Sequence, residues 1–430
     1  MNYYKRTADA LLKDLLDAFG AVLIEGPKWC GKTTTASQLA NSILRMQDPS
    51  MRDEYLVTAK TKPSILLNGD TPRLIDEWQD APMLWDAVRT TVDDRQIPGQ
   101  FILTGSNAVD KSQIHHSGAG RIARLRMLPM SLWESKESTG EVSLKELFNN
   151  PDYDIDGKMS KMSIEDLIFA ASRGGWPASL LARTPKAQLL VAKNYVQTIC
   201  LDDISGIDGK RRDAKLTSMI LRAYARNVST LVKKKSLIDD VISSGEVSCH
   251  TDTFDDYVSA LEKLFVIQNV GAWCPAIRSK TAIRSSAKRC FCDPSIPIAL
   301  LGLSPEALSI QLKTFGFIFE QMCIRDLKAY TIDLNSHVSY YHDRYDLEAD
   351  IVLHLEDGRY ALIECKLGSR EIDDGAEHLL ELKRLIQEHN KTEKQVPIRE
   401  PDLLIVMTGG TMAYTRPDGV KVIPLACLKD

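Results

Sequence analysis

Residues 21–40, AVLIEGPKWCGKTTTASQLA, restrict the fold of this chain more than any other stretch. The apolar run Ala21–Ile24 reads as a strand, and a helix is expected to begin near Lys32. Between them, Gly26, Gly31, Lys32 and Thr33 fill the spacing GxxxxGK[ST] completely. Glycines let a backbone curl until several N–H groups point at one centre, and the helix start adds its positive dipole end. Such a loop suits a chain of phosphates. The spacing predicts that Gly26, Pro27, Lys28, Trp29, Cys30, Gly31, Lys32, Thr33 and Thr34 wrap ATP. Lys32 would reach the β- and γ-phosphates, and the Thr33 hydroxyl would ligate Mg²⁺. The plain alternative is a glycine turn that matches by chance, and the strand before and helix after weigh against it.

A second stretch, PRLIDEW at residues 72–78, is a short apolar strand ending in two acids. Acids at the carboxyl end of a strand face the ligand crevice of an open α/β sheet. Asp76 is expected to hold Mg²⁺, and Glu77 to orient and polarise the attacking water. Helix capping by the same acids is the other reading. GQFILTGSN then places Thr104, Ser106 and Asn107 at a third strand end. Ser106 is the expected γ-phosphate sensor, an ordinary strand-end turn the alternative. In HSGAGRIARLR, Arg121 follows a glycine-rich turn that would hold it exposed, suiting it to reach a neighbouring protomer's nucleotide. Arg124 is the alternative finger, and a solvated surface arginine the ordinary reading. Strands alternating with helices imply a parallel three-layer α/β sheet.

These stretches, with GGWP at 174–177 and LEADIVLHLEDGRYALIECKLG at 347–368, resemble a prokaryotic family of AAA-type P-loop ATPases. The resemblance extends over nearly the whole chain, and no ATPase motif departs from the pattern. It implies ATP and Mg²⁺ as cofactors, a homo-oligomer, and a long C-terminal region containing a restriction-nuclease-like fold.

A chain of 430 residues is too long for one core, so several domains are expected. We read 1–137 as the ATPase core, 138–210 as linker and helical arm, 211–275 as a winged-helix-like domain, and 276–430 as a nuclease-like domain. The net charge of −4 provides no global attraction to nucleic acid. The nine cysteines form no CxxC pair, against a zinc or disulfide framework. No segment approaches a membrane span, and a cytoplasmic location is the default expectation.

The order helix, helix, helix, strand over 213–275 suits a winged helix, but its third helix opens with the acidic TDTFDDY. DNA contact and protein contact therefore both remain open. AIRSKTAIRSSAKRC carries Arg278, Lys280, Arg284, Lys288 and Arg289 without an acid, and either tracks phosphates or is a solvated loop. GKRRDAK near residue 210 is a weaker basic cluster.

In YALIECKLG, strand alternation puts Glu364 and Lys366 on one face. With Asp350 one hairpin away and Glu320 on a preceding helix, the set resembles the PD-(D/E)xK nucleases. The resemblance implies that Glu320, Asp350 and Glu364 hold Mg²⁺ while Lys366 activates water and meets the phosphodiester charge. Glu348 is a substitute for Asp350, and an exposed Glu–Lys pair is the ordinary alternative. The resulting expectation is an Mg-dependent ATPase coupled to DNA binding or processing. The alternative is a nucleotide-gated switch whose nuclease-like domain is inactive and docks a partner.

Overall fold

The computed structural model describes residues 3–107, 114, 116–243, 245–273, 286–343, 347–391 and 397–430. The chain divides into two compact units, the first running to Pro129 and including Leu261–Phe265, the second holding the remainder.

In the first unit, strands β1 (Ala21–Glu25), β2 (Ser42–Arg45), β3 (Arg73–Asp76), β4 (Phe101–Gly105) and β5 (Ile122–Arg126) form one parallel sheet in the order β2-β3-β4-β1-β5. β1 and β4 lie inside it and are apolar with little alternation, because both of their faces are covered. Helices α1 (Ala8–Ala18), α2 (Lys32–Ala36), α3 (Arg52–Thr61) and α4 (Met83–Arg95) accompany the strands. On α1, Ala8, Leu12 and Leu16 repeat at one-turn spacing and are buried. α4 brings Leu84, Trp85 and Val88 into a core with Leu23, Ile75 and Leu103. Each such side chain contributes about 1.5–3 kcal/mol on burial, and together they hold β1, β3 and β4 side by side. Glu25 is then level with Gly105, and Asp76 with Thr104, so the three strands end at one edge.

The second unit runs β6 (Val142–Ser143), α5 (Leu144–Asn149), α6 (Ile164–Arg173), α7 (Pro177–Leu181) and α8 (Pro185–Thr198). α8 continues through a π-turn at Ile199–Asp203 into α9 (Ile204–Gly206). There follow α10 (Ala214–Arg226), α11 (Lys234–Ile242), α12 (Thr251–Lys263, of which the part up to Ala260 belongs here), α13 (Ser295–Leu301), α14 (Pro305–Ile310) and α15 (Leu312–Tyr330). The last part comprises β7 (His337–His342), β8 (Glu348–His354), β9 (Tyr360–Lys366), α16 (Ile372–Asn390), β10 (Leu403–Thr408), β11 (Tyr414–Thr415), β12 (Lys421–Pro424) and β13 (Leu428–Lys429).

Residues 138–165, read as a loop or linker, carry β6 and α5 and lie in this unit. β6 pairs in parallel with β13, and Ser143 caps α5. The amides of Gly157 and Ser160 donate to the carbonyl oxygens of Ala413 and Thr411. The polar composition of this stretch reflects hydrogen bonding to the C-terminal strands. The three expected helices appear as α10, α11 and α12; in place of the expected strand, residues 267–270 form isolated antiparallel bridges, Ile267 to Phe291 and Val270 to Lys288.

The main sheet of this unit has the order β11-β12-β10-β9-β8-β7. β8 is antiparallel to both of its neighbours, β7 and β9, and is joined to β9 across Gly358 at φ 86°. α16 then carries the chain over to β10, which is parallel to β9. Leu379, Leu382 and Ile386 of α16 cover Val352, Leu362, Leu404 and Val406, while α15 lies against β7, β8 and β9.

Candidate functional site

The loop after β1 is shaped by backbone demands that its residue types answer. Gly26 has φ 154°, and a Cβ there would stand 2.2 Å from the carbonyl oxygen of Met127. Gly31 sits at φ 99° as the residue entering α2. Trp29 also adopts a positive φ, 65°, and keeps its indole 45% exposed. A bulky residue is rarely found there, so the loop holds it against its preference.

Lys32 is buried and folds back over its own loop. Its Nζ donates to the carbonyl oxygens of Gly26 at 3.0 Å and Pro27 at 2.8 Å. The Thr33 hydroxyl donates to Asp76 Oδ1 at 2.7 Å, and the Thr104 hydroxyl to the same oxygen at 2.6 Å. The end of β1, the start of α2 and the ends of β3 and β4 thus meet through side chains. A hydroxyl and a carboxylate one hydrogen bond apart are the hard oxygen donors Mg²⁺ requires, so Thr33 and Asp76 fit that ion.

Glu77 follows Asp76 in the left-handed region, at φ 55° and ψ 48°. Burial raises its carboxyl pKa, and Asp76 adds to this, against the lowering influence of Gln79 and Lys32. Gln79 Nε2 donates to Glu77 Oε2, and the Ser106 hydroxyl lies 3.5 Å from that oxygen. Trp78 Nε1, Gln79 Oε1 and Asn107 Oδ1 are buried around this point without a hydrogen-bond partner. Buried polar atoms are normally satisfied, so this edge has donors and acceptors available for a bound molecule.

Arg6 is a part of this site that the sequence did not disclose. The residue is 8% exposed, and its guanidinium donates to the carbonyl oxygens of Cys30 and Leu128, each at 2.7 Å. It ties the phosphate loop to the chain leaving β5. In sequence it was one base ahead of an amphipathic helix, with no pattern to mark it.

Of the two finger candidates, Arg121 donates from Nε to Asp93 Oδ1 at 2.7 Å and Arg124 from Nη1 to Glu25 Oε2 at 3.2 Å. Both arginines are more than two-fifths exposed. Such pairs are worth about 0–1 kcal/mol, so little opposes their release.

In the second unit, a cleft of about 660 Å³ is lined by Glu320, Glu348, Asp350, Cys365, Lys366 and Arg370, among others. Lys366 Nζ lies 2.7 Å from Glu364 Oε2, so the acid and base of β9 share a face as expected. That face is covered by α16: a Cβ at Gly375 would stand 3.4 Å from Glu364 Cβ, and His378 Nδ1 is 3.8 Å from Glu364 Oε2. The next residue, Cys365, points the other way and meets Cys323 of α15. Glu320, also on α15, therefore lies across the sheet from Glu364. Burial, then the charge of Asp350, pushes the Glu364 carboxyl up to about 8.

Glu320 is bonded to the Lys288 ammonium. Asp350 Oδ2 accepts from the amide of Cys365 at 2.9 Å, and Asp350 Oδ1 is 3.7 Å from Lys288 Nζ. Among the described residues no three His, Cys, Asp or Glu side chains gather in a metal-holding arrangement. The expected ligand set Glu320, Asp350 and Glu364 is thus divided by the sheet: Glu320 and Asp350 are taken up by the Lys288 ammonium and the Cys365 amide, while Glu364 lies against Lys366 with its Oε1 buried and without a hydrogen-bond partner. It does not fit a metal.

The basic clusters read as phosphate-tracking also resolve differently. Lys288 is buried, and Arg289 donates to the carbonyl oxygen of Val232. Arg278, Lys280 and Arg284 lie outside the described residues. Near residue 210, Arg212 pairs with Asp208 and Asp256, and Lys210 with Asp256. The acids opening α12 hold these bases. No described cysteine forms a disulfide, and no described helix is long and apolar enough to cross a membrane.

Comparison with known proteins divides the chain similarly. Residues 18–136 match an AAA domain family, 164–307 a domain of unknown function (DUF8612), and 315–428 another domain of unknown function (DUF4143). An uncharacterized protein of Mycobacterium tuberculosis is 23% identical over 366 residues, spanning 83% of this chain and 72% of its own. One of Mycobacterium bovis has the same figures. Among solved structures, a Walker-type ATPase of Pyrococcus abyssi aligns with TM-score 0.42 and 12% identity, over 70% of this chain and 96% of that one. The Aeropyrum pernix ORC2 protein, in ADPNP–ADP complexes, aligns with TM-score 0.32 and 12% identity, over 71% and 94%. With the loop, the paired acids and the parallel sheet in place, residues 18–136 of this chain have the fold of a P-loop ATPase and match the AAA domain family.

Proposed function

We propose that this protein is an Mg²⁺-dependent ATP hydrolase whose nucleotide state controls its C-terminal unit. One observation carries the reading: Lys32, Thr33, Asp76, Glu77 and Ser106 converge from three chain segments on one edge of the parallel sheet. Bound Mg²⁺ would neutralise phosphate charge, held by Thr33 and Asp76. Lys32 moves from its loop carbonyls to the β- and γ-phosphates, exchanging neutral acceptors for charged ones. Glu77, ionised, orients the attacking water, and Ser106 beside it reports the γ-phosphate. Arg121 of a neighbouring protomer supplies charge to the transferring group in a homo-oligomer.

The C-terminal unit serves binding. The Lys288–Glu320 and Arg212–Asp256 pairs favour this reading, since both withdraw charge that a phosphate backbone would need. A nucleic-acid partner, DNA in the first instance, is the second reading, supported by Lys366 and Arg370 lining the open cleft. Calorimetry with ATP and Mg²⁺ tests the first claim: Lys32→Ala should abolish uptake in folded protein, and equal ATP turnover by that variant would remove the assignment. Retardation of labelled duplex DNA, compared with and without ATP, separates the two partner readings.

A further inference from the structure

Where a metal was expected in the C-terminal cleft, the chain supplies a cation of its own. Lys288 is 5% exposed. Its Nζ donates to Glu320 Oε1 and, at 2.9 Å, to the backbone carbonyl oxygen of Asp350. It is also 3.7 Å from Asp350 Oδ1 and 5.6 Å from the centre of the Tyr340 ring. Three oxygens and an aromatic face therefore surround the ammonium.

Neither end of this pair depends on the charges for its position. Lys288 N donates to Val270 O at 2.8 Å, Val270 N to Lys288 O at 3.0 Å, and Arg289 N to Thr230 O at 3.0 Å. On the other side Gln321, next to Glu320, accepts from Phe291 N at 2.9 Å and donates to Phe291 O at 2.8 Å. The backbone at Lys288 is pinned to residue 270 and, three residues on, to α15, so the ammonium is delivered to Glu320 by the fold itself. A divalent ion between Glu320 and Asp350 would sit against a fixed positive charge in a poorly solvated place, where like charges repel strongly. The acid that would complete a metal site, Glu364, faces α16 on the other side of the sheet.

We propose that Lys288 is a tethered cation standing in for the metal of this cleft, so that the C-terminal unit works without a divalent ion. The inference is independent of the nucleotide assignment in the first unit.

Binding of Mn²⁺ to the full chain, free of nucleotide and followed by electron paramagnetic resonance, tests it. An Asp76→Asn background takes the first unit's ligand out of the count. With Lys288 present, the cleft should bind Mn²⁺ with a Kd no tighter than about 1 mM. Lys288→Met leaves Glu320 and Asp350 without their counter-charge. It should create one site at least about tenfold tighter, lost again when Asp350→Asn is added. A Mn²⁺ site in the Lys288 chain that disappears with Glu320→Gln overturns the proposal, as does a folded Lys288→Met chain that gains none. Should Lys288→Met alone fail to fold, the double variant Lys288→Met/Glu320→Gln removes both charges. Recovery of a cooperative melt in the double variant supports the pairing, and no recovery refutes it.

Discussion

Replacing Arg6 should weaken nucleotide binding through the backbone of the phosphate loop. Its guanidinium is buried and makes two hydrogen bonds of 2.7 Å, one to the carbonyl oxygen of Cys30 inside the phosphate loop and one to that of Leu128. Hydrogen bonds from a charged donor contribute about 1.5–3 kcal/mol each, and an acceptor left buried and unsatisfied costs about 1–3 kcal/mol. Arg6→Met keeps the apolar stem and deletes both bonds. Allowing for water that re-solvates one carbonyl, the loop loses about 3 kcal/mol of restraint. Part of that must be restored when ATP orders the loop, and 1.4 kcal/mol corresponds to a tenfold change in affinity, so Kd for ATP–Mg²⁺ should rise about 10- to 100-fold. Arg6→Lys keeps the charge but reaches one carbonyl, and should fall between. Titration calorimetry reads the affinity, and a thermal melt of the same samples checks the fold. An Arg6→Met chain that binds ATP like the parent would show that the loop holds its shape without this tie.

Three further outcomes follow from the same geometry. Glu77→Gln should bind ATP normally and slow hydrolysis by about 10²–10⁴; because burial raises the Glu77 pKa, the acidic limb of the parent's rate profile should lie above that of an ordinary carboxylate and vanish in the variant. Asp326→Ala should destabilise the second unit by about 3–5 kcal/mol: Asp326 is fully buried, accepts from Arg325 Nε at 2.7 Å and from Leu132 N at 3.0 Å, and would leave a buried guanidinium with Asp293 as its remaining carboxylate. Urea melts of a variant no weaker than about 1 kcal/mol would contradict this. For Glu364, the folded carboxyl titrates at about 8 against an ordinary 4.5, so the native state holds the proton more tightly than the unfolded chain. Its contribution is present at low pH and lost as pH rises from about 4.5 to 8. Glu364→Gln should therefore gain stability relative to the parent at pH 9 over pH 5, and parallel pH profiles would dismiss the assignment.

The first unit was legible because its chemistry is written in short runs. GPKWCGKT specifies a backbone path within eight residues, and LIDE puts two acids at a strand end whatever surrounds them. The hairpin at Gly358 and the shared face of Glu364 and Lys366 were legible for the same reason: strand alternation is a local rule. The polar stretch after residue 137 was harder to read, because composition does not reveal whether a backbone hydrogen-bonds to water or to residues nearly three hundred positions later, as the Thr139 amide does to the Ala426 carbonyl oxygen.

By itself, the sequence determined the phosphate loop, its acidic partner and the strand–helix alternation, since each depends on neighbours within a few residues. Tertiary structure alone decided which charges meet. It set Lys288 on Glu320 and Asp350, Arg6 on the phosphate loop, and Glu320 across a sheet from Glu364. The energy of a buried charge depends on the groups within a few ångströms, and folding chooses those groups without regard to their separation along the chain.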